Sequence, residues 1–225
     1  MKSLLNKLTL LALCLAIGIV SCKKEPEVTT TVPDVPVTPT TGNSIITSIG
    51  GEVVDENGIA VVGANVSIGT HTSQTNSNGL FLFRDITVNE YKAYVIAEKN
   101  GYFLGSRNIS TKVNSVSSVK IKLLSNSSVG NFTSTNGGTI TNDGVTLNFP
   151  ANSIKIDGGG IYTGTVNVAL QFLDPNSSDL IDKMPGDLSA LNANGDERAL
   201  ETYGMVAVEL TSPTGQKLNI ADEKK

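Results

Sequence analysis

An all-β fold, two small β-sandwich domains behind a signal peptide and a Thr/Pro-rich linker, is what this 225-residue sequence predicts. Three observations carry that expectation. Apolar–polar alternations recur after residue 44, broken by turn clusters of Gly, Asn, Asp and Ser about every 8–12 residues, the rhythm of sandwich strands. Helical periodicity is confined to one turn near "SSDLIDK" (177–183). The composition is rich in Gly, Ser, Thr, Asn and Val, residues of strands and turns.

The N-terminus carries Lys2 and Lys7, an apolar run from Leu8 to Val20 and the small residue Ser21. A basic segment, a short apolar core and a small residue before a cut describe a signal peptide over 1–21. The run is shorter than the roughly 20 apolar residues that span a bilayer. Ile19-Val20-Ser21-Cys22 resembles a bacterial lipobox, whose cysteine is linked to diacylglycerol, becomes the new N-terminus and is acylated. The resemblance implies lipidation at Cys22. An ordinary secretory cut would instead leave an exposed thiol in an oxidising compartment. Two or more acyl chains hold a protein firmly, at about 0.8 kcal/mol per buried methylene.

Cys14 is expected to leave with the signal peptide and Cys22 to carry lipid. No thiol then remains for a disulfide, a metal or catalysis. Lys23, with no aspartate at that position, resembles lipoproteins released to the outer membrane. The expected location is the cell envelope, lipid-anchored at the outer membrane, with the periplasmic and surface sides both open. "KKEPE" (23–27) is loosely similar to the charged export signals of surface lipoproteins.

Residues 22–44 form the linker. Pro26, Pro33, Pro36 and Pro39 forbid a helix and disfavour a central strand. Such a tract is extended and semi-rigid, at ~3.1 Å per residue a stalk of several nanometres at most. Without Lys2 and Lys7, 15 basic residues stand against 21 acidic ones, a balance of −6. That argues against nucleic acid as a partner and against attraction to anionic headgroups.

The first module spans 45–124. "SIGGEVVD" alternates Ile49, Gly51 and Val53 against Gly50, Glu52 and Val54, and "DENG" (55–58) turns the chain. Ala64, Val66 and Ile68 are expected to face inward, Asn65 and Ser67 outward. "TNSNG" (75–79) is a second turn. The apolar "LFLF" (80–83) fits a strand buried on both faces, with Phe81 or Phe83 fully buried. "YKAYVIAE" (91–98), a turn at 100–102 and "SVKIKL" (118–123) complete six or seven strands.

Gly51-x-Val53 with Asp55, Gly63-Ala64-x-Val66, Thr75 with Asn78-Gly79-x-Phe81, and Gly101-Tyr102 follow one another in this stretch. In that order they resemble the carboxypeptidase regulatory-like domain, a transthyretin-like, seven-stranded sandwich. Asn76 stands where that family usually shows aspartate. The resemblance implies a fold and little about activity, because one fold hosts many functions.

The second module spans 125–225. Val145, Leu147 and Phe149 share a face that Pro150 ends. Val166, Val168, Leu170 and Phe172 oppose Asn167, Ala169 and Gln171. Val206, Val208 and Leu210 lead through the turn Ser212-Pro213-Thr214-Gly215 to Leu218 and Ile220. "GGTI…VTLNFPANSI…YTGTVNVAL…LDP…MPGDLSA…GMVAVEL" is similar to the β-domains of ankyrins and netrin receptors, which are interaction or structural modules. Those domains usually continue with another apolar strand where this sequence reaches "ADEKK", so the module is expected to be incomplete. With fewer strands and an unpaired edge, it is expected to open locally more readily than the first.

The sequence offers no catalytic, cofactor or metal motif. His71 is the one histidine, in a polar loop beside a turn, whereas a zinc carboxypeptidase site needs two His and a Glu. No Gly-x-Ser-x-Gly elbow, phosphate-cradling loop or dinucleotide fingerprint occurs. "DGGG" (157–160) reads as a β-turn that neither follows a strand nor opens a helix. "NANGDE" (192–197) and "NSNG" (76–79) lack calcium-loop spacing and read as turns. The opening strand lacks a lysine for an isopeptide bond.

The reading is a non-enzymatic envelope lipoprotein that displays β-sandwich modules for macromolecular binding or a structural role. Its expected partners are the membrane, through the lipid, and an envelope protein or glycan of unknown identity. Carbohydrate binding is the alternative, weakened by the lack of Trp and by few aromatics outside strand patterns. A carboxylate-only enzyme has no placed acid pair.

Overall fold

The computed structural model describes residues 42–221. The expected signal peptide, Cys22 and the expected linker up to residue 41 lie outside the described residues. The described chain is almost entirely strand and turn.

The first seven strands are β1 (Ser44–Asp55), β2 (Asn65–Ile68), β3 (His71–Gln74), β4 (Leu80–Asn89), β5 (Ala93–Glu98), β6 (Gly105–Ile109) and β7 (Val116–Leu123). They form two sheets, ordered β4-β1-β7 and β3-β2-β5-β6. β1 runs antiparallel to β4 and parallel to β7. The core between the sheets is built from the alternating residues expected of it: Ile49, Val53, Val66, Val95 and Ile121 are fully buried. Gly51 is required because a Cβ there would lie 2.1 Å from the Val119 carbonyl oxygen and 2.8 Å from the Phe81 ring.

Phe81 and Phe83 are both buried and meet edge to face, centroids 5.9 Å apart. Their neighbours correct the expectation of a strand buried on both faces: Leu80 is 45% and Leu82 42% exposed. β4 alternates like a strand with one solvent face, Phe81 and Phe83 turned inward and Leu80 and Leu82 outward.

Four chain reversals share one geometry. Asp55 Oδ1 accepts the amides of Asn57 and Ile59 at 2.9 and 2.8 Å. Asn76 Oδ1 does the same for Asn78 and Leu80, and Asn192 Oδ1 for Asn194 and Asp196. At the fourth, Ser212 Oγ accepts from Thr214 and Gln216. In each, the fourth residue is a glycine at φ between 73° and 84°, the left-handed region where a Cβ is strained. Asn76 thus performs the same task as Asp55.

The remaining elements are β8 (Ser128–Thr133), β9 (Gly138–Asn142), β10 (Val145–Phe149), β11 (Ile154–Ile156), β12 (Thr165–Leu173), the helix α1 (Leu180–Lys183), β13 (Ser189–Leu191), β14 (Glu197–Ala199), β15 (Met205–Thr211) and β16 (Lys217–Ile220). The expectation of fewer strands is therefore wrong: short strands at 128–133, 154–156, 189–191 and 197–199 carry too little apolar alternation to announce themselves. Five strands form a sheet ordered β11-β16-β15-β12-β8, and the β9–β10 hairpin stands apart as a two-stranded sheet. Ile140 and Phe149 of the hairpin pack on Val166, Val168, Leu170 and Leu210, with Phe149 stacked on Phe132 at 4.7 Å.

That hairpin is too narrow for the sheet beneath it. Phe172, Val206 and Val208 continue the apolar face of β12 and β15 but are 37%, 44% and 42% exposed, whereas Leu173 is buried. Phe172 thus keeps the face expected of it, alongside Val166, Val168 and Leu170, but is only partly covered. At this end the sheet buries its other face, where Leu173 joins Leu124, Leu180 and Met184 in a third cluster.

The third cluster also takes Phe103 from the loop before β6. The free edge of β6 is covered as well: the Gly186 amide donates to Ser106 O at 3.0 Å, and the Asn108 amide donates to Gly186 O at 3.2 Å. An edge strand is closed here by a loop from the other half of the chain.

Candidate functional site: a polar cleft

Cys22, the expected lipidation site, lies outside the described residues. His71 is exposed and opens β3, paired across the hairpin with Ile68, so it stands in a strand and not in the expected loop. Residues 157–160 do follow a strand, β11, correcting the sequence reading, and form a tight reversal in which the Gly159 amide donates to Ile156 O. No cluster of three His, Cys, Asp or Glu placed to hold a metal ion occurs among the described residues.

An open cleft of about 950 Å³ is lined from both halves of the chain. It lies at the upper end of the ~300–1,000 Å³ range of small-ligand sites. One wall comes from the outer face of the β3-β2-β5 strands. Asn65 is paired with Gln74 on one side and Glu98 on the other, so three exposed planar side chains stand in a row, one per strand at ~4.8 Å spacing. They face outward because Ala64, Val66 and Ala97 take the core positions.

β15 and β16 supply the opposite wall. Thr211 and Lys217 are cross-strand partners, and Glu209 lies two residues before Thr211, on the same face. Glu209 is held in place: its Oε1 accepts Asn126 Nδ2 at 3.1 Å. The Asn126 amide donates to Gly101 O at 3.1 Å, which ties this wall to the first sandwich. Lys99 Nζ donates to Gly63 O at 3.2 Å. Two carboxylates, Glu98 and Glu209, face two ammonium groups, Lys99 and Lys217, so the lining is electrically balanced.

This arrangement presents fixed donors and acceptors from rigid strands, which suits recognition of a polar ligand. Sequence reasoning placed no residue here. It read Asn65 as outward-facing, but an outward polar residue on a strand is the ordinary case and marks no site. Glu98 and Glu209, unpaired in sequence terms, are brought into one cleft by the docking of the two halves.

No protein-family model matches the chain. Over 79 residues it is 34% identical to cartilage intermediate layer protein 1 of Sus scrofa and 33% identical to the Mus musculus protein of that name. Those stretches cover 35% of this chain but 13% and 7% of the two relatives, so the chain spans a small fraction of the curated relatives it matches. Among solved structures, similarity extends to a proposed membrane-associated protein of unknown function from Bacteroides fragilis, at 9% identity and a TM-score of 0.30, covering 75% of this chain and 82% of that one. A proposed carbohydrate-binding protein from Bacteroides uniformis is similar at 10% identity and a TM-score of 0.30, covering 78% and 95%. Likeness this remote assigns no site to the chain.

Proposed function

We propose that this chain is a non-enzymatic lipoprotein of the cell envelope, anchored at the outer membrane through Cys22, whose β-sandwiches present the polar cleft as a binding surface. The cleft carries the reading. Its polar side chains are mounted on strands of both halves, and Asn126 and Gly101 fix one wall to the other. The lipobox-like Ile19-Val20-Ser21-Cys22 supports the anchor, and the proline-rich stretch that follows supports a stalk. The resemblance of 45–124 to the carboxypeptidase regulatory-like domain, and of the second half to the β-domains of ankyrins and netrin receptors, supports a display role over a catalytic one.

Site-specific photocrosslinking in intact cells tests this. A photoreactive side chain at Asn100, in the cleft, should yield adducts with an envelope component. The same group at Val113, which is 61% exposed and outside the cleft, should not. Adducts from Val113 alone would place the binding surface elsewhere.

A further inference from the structure

The geometry points to a neutral oligosaccharide as the occupant of the cleft, held between the Gln74–Asn65–Glu98 row and the Glu209–Thr211–Lys217 wall. This rests on the reading of the cleft as a binding surface and specifies what that surface takes.

The chemistry of the walls selects the ligand. An amide offers donors and an acceptor in one plane, and a carboxylate offers two acceptor oxygens. Vicinal hydroxyls, each both donor and acceptor, complement such forks. Asn65, Gln74, Glu98 and Asn126 are all of this planar type, and the first three extend over three strands, ~10 Å from end to end at ordinary strand spacing. That length exceeds one sugar ring and fits a short chain.

The charges exclude the nearest competitors. With Glu98 and Glu209 offset by Lys99 and Lys217, the cleft has no field to gather a polyanion, and the −6 balance expected of the mature chain repels one. A peptide bound in extended form needs apolar pockets for alternate side chains. Of the apolar side chains here, Leu104 is well exposed, at 56%, and Tyr102 is partly buried against the first core. Those two suffice to meet the C–H face of a sugar ring. Without a wide aromatic platform, hydrogen bonding carries recognition, so binding depends steeply on individual polar side chains.

The test uses the full lipid-anchored chain, solubilised in detergent, against immobilised neutral hexasaccharides of glucose, mannose, xylose and galactose. Polygalacturonate and heparin serve as acidic comparators. At least one neutral class should bind, and Asn65→Ala and Glu209→Gln should each weaken it about tenfold. Leu82→Ser, on the far solvent face of the first sandwich, should leave binding unchanged. Thermal melting confirms that each variant is folded. Binding of the acidic comparators alone, of no neutral glycan, or with undiminished strength in folded cleft variants would overturn the inference. Protein adducts from Asn100 with no glycan binding would overturn it while leaving the binding-surface reading intact. Release of new reducing ends would overturn the non-enzymatic reading itself and make Glu98 and Glu209 the acids to test.

Discussion

Lys122, on the last strand of the first sandwich, and Asp179, the residue before α1, form an ion pair with Nζ 2.5 Å from Oδ2. The other oxygen, Oδ1, accepts Lys183 Nζ at 2.9 Å and Ser177 Oγ at 2.6 Å. Arg107 adds a hydrogen bond from its guanidinium to the Ile181 carbonyl. The four-residue helix is therefore fastened to the first sandwich by charge, beside the apolar contacts of Leu180 and Met184.

Acid should loosen this junction. The hydrogen bond from Lys122, then those from Lys183 and Ser177, hold the Asp179 carboxyl far below the usual carboxylate range. A depressed folded-state pKa gives stability that is fully present above the unfolded value, near 4, and is lost as pH falls below it. Asp187 is also lowered: burial opposes the shift, but bonds from Ser189 and Asn108 outweigh it. Comparing wild type with Asp179→Asn cancels that contribution. The gap between their urea midpoints should stay constant from pH 7 to 5 and shrink below pH 4. A gap that is unchanged at pH 2.5 would contradict the assignment.

Thr75 is buried, and its hydroxyl donates to Val61 O at 2.6 Å while accepting the Ala64 amide at 2.8 Å. Thr75→Val keeps the shape and strands both backbone groups. It should cost about 1–3 kcal/mol by chemical denaturation, more than Thr72→Val on the exposed part of β3. Equal costs would show that the two bonds contribute nothing net.

Phe81 and Phe83 anchor the first core. Truncating either to Ala should cost about 3–5 kcal/mol, a large share of the stability of an ordinary domain. Leu82→Ala, on the solvent face of the same strand, should cost under about 1 kcal/mol. A reversed order would mean that β4 is out of phase.

Hydrogen exchange should be faster in β9, β10, β15 and β16 than in β1, β5 and β7. The first core holds sixteen buried apolar residues and the second nine, among the described residues. The apolar face around Phe172, Val206 and Val208 also has only partial cover. Regions with few buried contacts open at lower free energy. Equal protection in both halves would contradict this.

What the sequence disclosed follows from how local each feature is. The four corners at Asp55, Asn76, Asn192 and Ser212 were legible because a side-chain acceptor and a glycine three residues later specify the reversal within one short window. The phases of Ile49–Val53 and Val166–Leu170 were legible because strict alternation has one physical meaning. "LFLF" was not, since an apolar run looks the same whether one face or both are covered. The partial exposure of Phe172 was hidden for a related reason: which half of a face is covered depends on how far the β9–β10 hairpin reaches. The cleft was invisible because its residues are scattered from Gly63 to Lys217 and converge only when the halves dock.

Anchored display depends on Cys22, and its replacement by alanine is the most direct test. In a bacterial host fed labelled palmitate, the wild-type protein should carry label and sediment with the outer membrane, leaving only on detergent extraction. Cys22→Ala should carry no label and appear in the soluble fraction, with an unchanged melting transition. Cys22→Ala that still sediments with the outer membrane, or wild type that takes up no label, would contradict the anchored-display reading.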